Sequence, residues 1–226
     1  MSGSPVVRLD GVSKSFPTEQ GDTVRVLDRV ELVIQPGEKA SLIGPSGSGK
    51  STLLSLIAGL LRPDSGTIEV DGVPMGLLDE AERARLRARR IGIALQFDNL
   101  IPFLSAQENV ELSLSFGKAF RGTRATKRRA LELLEQLGVG HRARHRPRQL
   151  SGGEVQRVAL AVAIANQPAL LLADEVVAQL DGETAGHVIT EVLEAEFAVL
   201  YVTHQAALAD RAERRYRLHE GRVEAR

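Results

Sequence analysis

The chain has 226 residues, of which 43% are hydrophobic, and its 29 Lys and Arg balance 29 Asp and Glu to a formal net charge of +0. That balance argues against a general nucleic-acid binder, which carries a net basic surface, and the apolar content argues against a charged disordered chain. No cysteine is present, which removes disulfides, thiolate catalysis and Cys-ligated zinc together.

The length suits one domain, 1–226, with room for an inserted subdomain. Val6 to Leu9, Val30 to Ile34 and Lys39 to Ile43 read as strands. Leu53, Leu56, Ile57 and Leu60 fall at i, i+3, i+4 and i+7, which predicts a helix over Gly49 to Leu60 with a buried stripe. Asp64-Ser65-Gly66 marks a turn before a strand at Thr67 to Val70, and Ile91 to Leu95 is a further strand. From about Ile101 to Arg148 there are two helical patterns and no convincing strand. Ser105 with Glu108 forms a capping box for the first, and Ala130, Leu133, Leu134 and Leu137 give the second its stripe, stopped at Gly138 and Gly140. The basic clusters Arg83 to Arg90 and Arg121 to Arg148 read as solvated helix faces, some near lipid headgroups, because aromatic residues are not interleaved with them.

Ser151 with Glu154 makes another capping box, followed at helical spacing by Val155, Val158, Ala159 and Val162. Ala169 to Ala173 and Val199 to Val202 are continuous apolar runs of the kind found in buried parallel strands. Ala185, Val188, Ile189 and Val192 mark a helix, and Arg215 to Leu218 with Val223, around Glu220-Gly221, a final hairpin. Strands alternating with helices imply an α/β fold with a mainly parallel sheet. The helical stretch 96–148 reads as an insertion between the two parts of a core, 1–95 and 149–226. No apolar run reaches the roughly 18 residues of a membrane-spanning helix, and Met1 to Leu9 lacks a signal-peptide core. The chain is therefore expected to be soluble and cytoplasmic, with any membrane role supplied by a partner.

Gly44-Pro45-Ser46-Gly47-Ser48-Gly49-Lys50-Ser51 matches the phosphate-loop pattern G-x-x-x-x-G-K-S/T, preceded by a strand and followed by an amphipathic helix. Glycines let the backbone wrap phosphates closely, and the helix start adds its positive dipole end. Lys50 is placed to reach the β and γ phosphates, and Ser51 to give a hydroxyl to Mg²⁺. The loop specifies a nucleoside triphosphate and no more, although the absence of an N-K-x-D guanine reader disfavours a GTPase. Asp174 and Glu175 end a buried strand. Beside a phosphate loop, Asp174 suits an Mg²⁺ ligand and Glu175 a base that orients the attacking water. His204, just past another buried strand, can donate to the γ-phosphate. Gln96, past Ile91 to Leu95, can touch Mg²⁺ or the attacking water and report on the helical segment.

Leu150-Ser151-Gly152-Gly153-Glu154, followed by Val155-Gln156-Arg157-Val158-Ala159, resembles the signature of the ATP-binding cassette (ABC) family. The resemblance runs from about Val6 to Val223, with the motifs in the family's order. It implies a phosphate-loop NTPase core with an N-terminal antiparallel β part and an inserted helical subdomain. It also implies a homodimer in the ATP-bound state, with two cassettes packed head to tail around two Mg-ATP. Ser151, Gly153 and Glu154 would then act on the nucleotide held by the partner's loop, the one that comprises Gly44, Ser46, Gly47, Gly49, Lys50, Ser51 and Thr52. Phe16 matches the aromatic that stacks on adenine, and Asp181 the loop that speaks across the dimer interface. Gln96 to Pro102 with Glu108-Asn109-Val110 looks like the branch of lipoprotein-release, macrolide-export and cell-division cassettes. That implies an ATPase peripheral on the inner face of the cell membrane, driving a permease that is a separate chain, with no nucleic-acid partner. The alternative is a regulatory module whose ATP occupancy signals through a permease-like partner; a repair or translation ATPase is disfavoured by the missing coiled-coil insertion and second cassette. Val176-Val177 stand where the family has Pro-Thr, Val162 where it has Arg, and Gln205 where it has an acid. None is a phosphate or metal ligand, so a slow but competent ATPase is expected.

Overall fold

In the computed structural model, which describes residues 4–19, 21–94, 99–117, 123–174, 190 and 192–225, the strands fall into two sheets. The first is antiparallel and contains β1 (Val7–Pro17), β2 (Thr23–Ile34), β4 (Ser65–Val70) and β5 (Val73–Pro74), in the order β2-β1-β4-β5. The predicted strands Val6 to Leu9 and Val30 to Ile34 are only the buried ends of this longer hairpin. Apart from Val12 and Leu27 its outer half is exposed or half-buried, and register shifts after Leu9 and Val12 break the period of two. The predicted turn at Asp64-Ser65-Gly66 is corrected too. Ser65 and Gly66 already belong to β4, and the Asp64 carboxylate accepts hydrogen bonds from Lys14 Nζ and the Ser15 N–H, each at 2.7 Å.

The second sheet contains β3 (Lys39–Ile43), β6 (Ile91–Ala94), β7 (Leu170–Asp174), β8 (Ala198–Val202), β9 (Arg214–His219) and β10 (Arg222–Ala225). Its order is β10-β9-β3-β8-β7-β6, parallel throughout except for the β9/β10 hairpin. Both faces are covered, which explains the unbroken apolar runs of β7 and β8. Leu171, Ala173, Val199 and Tyr201 join one core with α3 (Ala106–Gly117), α4 (Thr123–Gln136) and α5 (Gly152–Ile164). Leu170, Leu172, Leu200 and Val202 join the other, with α1 (Lys50–Ile57) and the antiparallel sheet.

The helix predicted to reach Leu60 stops at Ile57. Gly59 takes a left-handed φ of +65°, the Leu60 N–H turns back to the Ser55 carbonyl, and the Leu60 side chain is 50% exposed instead of lying in the stripe. The basic cluster at 83–90 lies in α2 (Glu80–Arg90), opened by a capping box between Asp79 and Glu82. Its arginines are not all solvated. Arg83 is 4% exposed and donates to the Leu78 carbonyl, and Arg87 donates to the Gly59 carbonyl. The Ser105–Glu108 capping box forms, and Ala130, Leu133, Leu134 and Leu137 are buried as their spacing predicts. The helix expected over Ala185 to Val192 falls mostly outside the described residues; Val192 is buried. Among the described residues no helix is long and apolar enough to cross a membrane.

Candidate active site

The carboxyl ends of β3, β8 and β7 lie side by side, the place where open parallel sheets bind ligands. Register aligns them, with Val202 opposite both Leu42 and Asp174. The loop of residues 44–49 leaves β3, His204 follows β8, and Asp174 is the last residue of β7.

The loop's shape depends on glycine at specific points. Gly49 caps α1 with φ +103°, and a Cβ there would stand 2.7 Å from Val26 Cγ1. A Cβ on Gly44 would stand 2.4 Å from the Leu218 carbonyl oxygen of β9. Lys50 Nζ donates to the carbonyls of Gly44 (2.9 Å) and Pro45 (2.8 Å), so the ammonium is folded back over the loop that would cradle phosphates. Ser51 Oγ donates to Asp174 Oδ2 at 2.7 Å.

These groups line a cleft of about 570 Å³ together with Phe16, Ser46, Gly47, Thr52 and His204. Phe16 is half-buried there, with Lys14 Nζ 5.5 Å from its ring centroid. A larger hollow of about 700 Å³ lies at the opposite ends of the strands, beside Gly37, Ala169 and Phe197, and carries no phosphate-loop residue. The smaller cleft is the candidate site because its chemistry converges. A loop of backbone N–H groups, a lysine, a hydroxyl, a carboxylate, an imidazole and an aromatic ring make up its wall. Its donors fit Mg²⁺, since the Ser51 hydroxyl and the Asp174 carboxylate are adjacent hard oxygens. Among the described residues no group of three His, Cys, Asp or Glu could hold a metal unaided.

Ser151, Gly153 and Glu154 do not line this cleft. They open α5, where Glu154 N–H donates to Ser151 Oγ and Ser151 N–H to Glu154 Oε2, a closed capping box that leaves Ser151 and Gly152 exposed. Glu154 itself is 8% exposed, and its Oε1 accepts Arg142 Nε at 2.8 Å. The Ser151 backbone bond, then the Arg142 bond, hold its carboxyl at about 2, below the ordinary 4.5. Because the folded value is depressed, Glu154 stabilises the fold fully above pH 4.5 and loses that contribution as pH falls from 4.5 to 2. Acid titration of the melting temperature should therefore fall less steeply across that window in Glu154→Gln than in the parent chain, and superimposable curves would contradict the assignment.

Gln96, Glu175 and Asp181, and the Val176-Val177 departure, lie outside the described residues. Of the other departures, Val162 is half-buried in α5, its carbonyl accepting from Ser113 Oγ, and Gln205 caps a short helix, Ala206–Ala209. Two contributors had no signal in the spacing. Arg142 stands in a short turn well before α5, and the Lys14–Asp64 pair beside Phe16 ties β1 to the residue before β4, remote in sequence.

Residues 27–178 match the ABC transporter family. The chain is 45% identical to the lipoprotein-releasing system ATP-binding protein LolD of Novosphingobium aromaticivorans, over 97% of this chain and 99% of that one. It is 44% identical to LolD 2 of Caulobacter vibrioides, over 97% of each. A solved dimeric structure of the ATP-binding cassette MJ0796, in a post-hydrolysis state bound to ADP and Pi, is similar at a TM-score of 0.90 and 38% identity, covering 96% of both chains.

Proposed function

Because the chain belongs to the ABC transporter family, as an ATP-hydrolysing cassette similar to LolD, we propose that it is the motor of a lipoprotein-releasing machine. Two copies close head to tail around two ATP, and the cycle drives a separate membrane permease that extracts lipoproteins or related lipid-linked substrates. The observation that carries the motor part of this reading is the 2.7 Å Ser51–Asp174 hydrogen bond in the same cleft as Lys50 and His204, and the lipoprotein part rests on the likeness to LolD. The start of α5, outside that cleft, is a second anion-binding helix end that one triphosphate in its own cleft does not use. It is therefore assigned, with Ser151 and Gly153, to the partner's γ-phosphate.

Within each cleft Phe16 stacks on adenine, and Lys50 with the loop N–H groups holds the β and γ phosphates. Ser51 and Asp174, with Gln96, would hold Mg²⁺, which when bound would neutralise charge developing on the phosphates. Glu175 takes the proton of the attacking water, and His204 donates to the γ-phosphate. Asp181 reports occupancy across the interface. Residues 96–148 act as an arm moved by that occupancy.

A groove of about 500 Å³ between α2, α3 and α5 suits the permease. Leu60 and Phe116 are 50% and 63% exposed there, with Arg85 and Arg89 on its edge. Its chemistry fits an apolar cytoplasmic helix with an acidic flank. Ile91 and Ile93 of β6 line the groove, and β6 pairs with β7, whose last residue is Asp174 of the cleft, so the docked helix and the nucleotide are linked through two bonded strands. The cassette accordingly works as a peripheral protein on the inner face of the membrane.

Glu175→Gln should bind ATP and accumulate as a dimer on gel filtration, with turnover down by at least about a hundredfold, the scale of a lost general base. In liposomes holding the membrane protein that co-purifies with it, the wild-type chain should release an acylated reporter when ATP is added. A reporter retained at full ATP turnover would overturn the lipoprotein reading, and a variant that complements a deletion as well as wild type would point to signalling by occupancy instead.

A further inference from the structure

We propose that Arg142 is a positioning residue for Ser151, acting through Glu154. This rests on the reading that Ser151 meets the γ-phosphate held by the partner cassette. Ser151 is exposed at the start of α5, and a serine there can satisfy its own helix start or face a ligand, depending on how its backbone is held. Its N–H is fixed by Glu154 Oε2 at 2.8 Å, and the other oxygen of the same carboxylate is fixed by Arg142 Nε, also at 2.8 Å. The Glu154 side chain is 11% exposed and Arg142 38%, so the pair is partly withdrawn from water and stronger than a surface ion pair. His141 Nε2 reaches the same oxygen only at 3.7 Å, beyond hydrogen-bond length, which leaves Arg142 as the donor.

Arg142 is itself anchored. It ends the turn Gly140–Arg142, its N–H donates to the Val139 carbonyl, and its carbonyl accepts from His145. The carbonyls of Ala143 and His145 in turn accept the Gln107 and Ala106 N–H groups, the first two of α3. A continuous run of hydrogen bonds thus leads from the start of α3 to Ser151. The far end of α3 carries Phe116, which lines the groove assigned to the permease. Displacing α3 therefore moves the arginine that fixes the serine, while the nucleotide cleft of the same chain, which Arg142 does not line, is left alone.

The test is ATP-driven dimerisation in the Glu175→Gln background, followed by gel filtration across a range of ATP concentrations with Mg²⁺. Adding Arg142→Gln should raise the ATP needed for half-maximal dimer by about tenfold, the size expected for a charge-assisted bond. A fluorescent ATP analogue should bind dilute monomers of both variants equally. Arg142→Lys, which keeps the positive charge, should recover most of the loss, a rescue that a general packing defect would not give. Glu154→Gln and the double variant Arg142→Gln/Glu154→Gln should match Arg142→Gln alone, because both residues act along one path. Additive effects, or an unchanged ATP requirement, would overturn the proposal. If Glu175→Gln alone fails to dimerise, the head-to-tail reading fails and this proposal falls with it; if it dimerises and Arg142→Gln changes nothing, only this proposal falls.

Discussion

Lys50→Ala should leave the chain folded and weaken ATP binding by at least about a hundredfold, a loss of ~2.7 kcal/mol or more, as expected when a charged donor to two phosphates is removed. The lysine is bonded to the carbonyls of Gly44 and Pro45 within its own loop. Those are neutral acceptors at a solvent-facing rim, and their loss is worth only about 1 kcal/mol. Facing a triphosphate, the same ammonium meets several anionic oxygens, so the effect on binding far exceeds the effect on stability. Lys50→Arg should not restore the site, because a planar guanidinium does not fit a loop shaped around a compact ammonium. Equilibrium binding of a fluorescent ATP analogue, paired with thermal melting, separates the two quantities. Binding within about threefold of wild type would remove Lys50 from the phosphate site.

Gly49→Ala should destabilise the chain by about 2–4 kcal/mol, lower its melting temperature by about 5–10 °C and abolish nucleotide binding. Two costs combine. A left-handed φ of +103° is strained for any residue with a side chain, and the new methyl would stand 2.7 Å from Val26 Cγ1 and 3.2 Å from the Val26 carbonyl oxygen of β2. Gly47→Ala is the matched control. Its φ is also positive, at +75°, but nothing lies within 4 Å of its Cβ position. It should cost only about 1 kcal/mol. Differential scanning calorimetry of the two variants tests this, and equal losses would show that contact with β2 is not what shapes the loop.

The ease with which the site could be read follows from its physics. A phosphate loop needs glycines, a lysine and a hydroxyl in contiguous order, so its chemistry is written along the chain, and Asp174 announces itself as a charge at the end of an apolar run. The strands β7 and β8 were legible for a related reason: burial on both faces leaves them apolar up to the Asp174 that ends β7. The helix α2 had no such stripe. Its one buried residue is Arg83, and the only local mark of its start is the Asp79–Glu82 pair. The outer hairpin of β1 and β2 hid because register shifts and partial exposure remove the alternation on which strand reading depends. Arg142 and the Lys14–Asp64 pair act by tertiary contact alone, and no spacing rule reaches across such distances.

The contact between Gly44 and the Leu218 carbonyl has a temporal consequence. β9 is the outer neighbour of β3, and the Gly221 carbonyl beyond it accepts the Asp28 N–H of β2, so segments far later in the chain than the loop form one of its walls. A nascent chain thus carries the complete phosphate-loop sequence long before it has the enclosure around it. The enclosure of the loop is complete only once β9 lies beside β3.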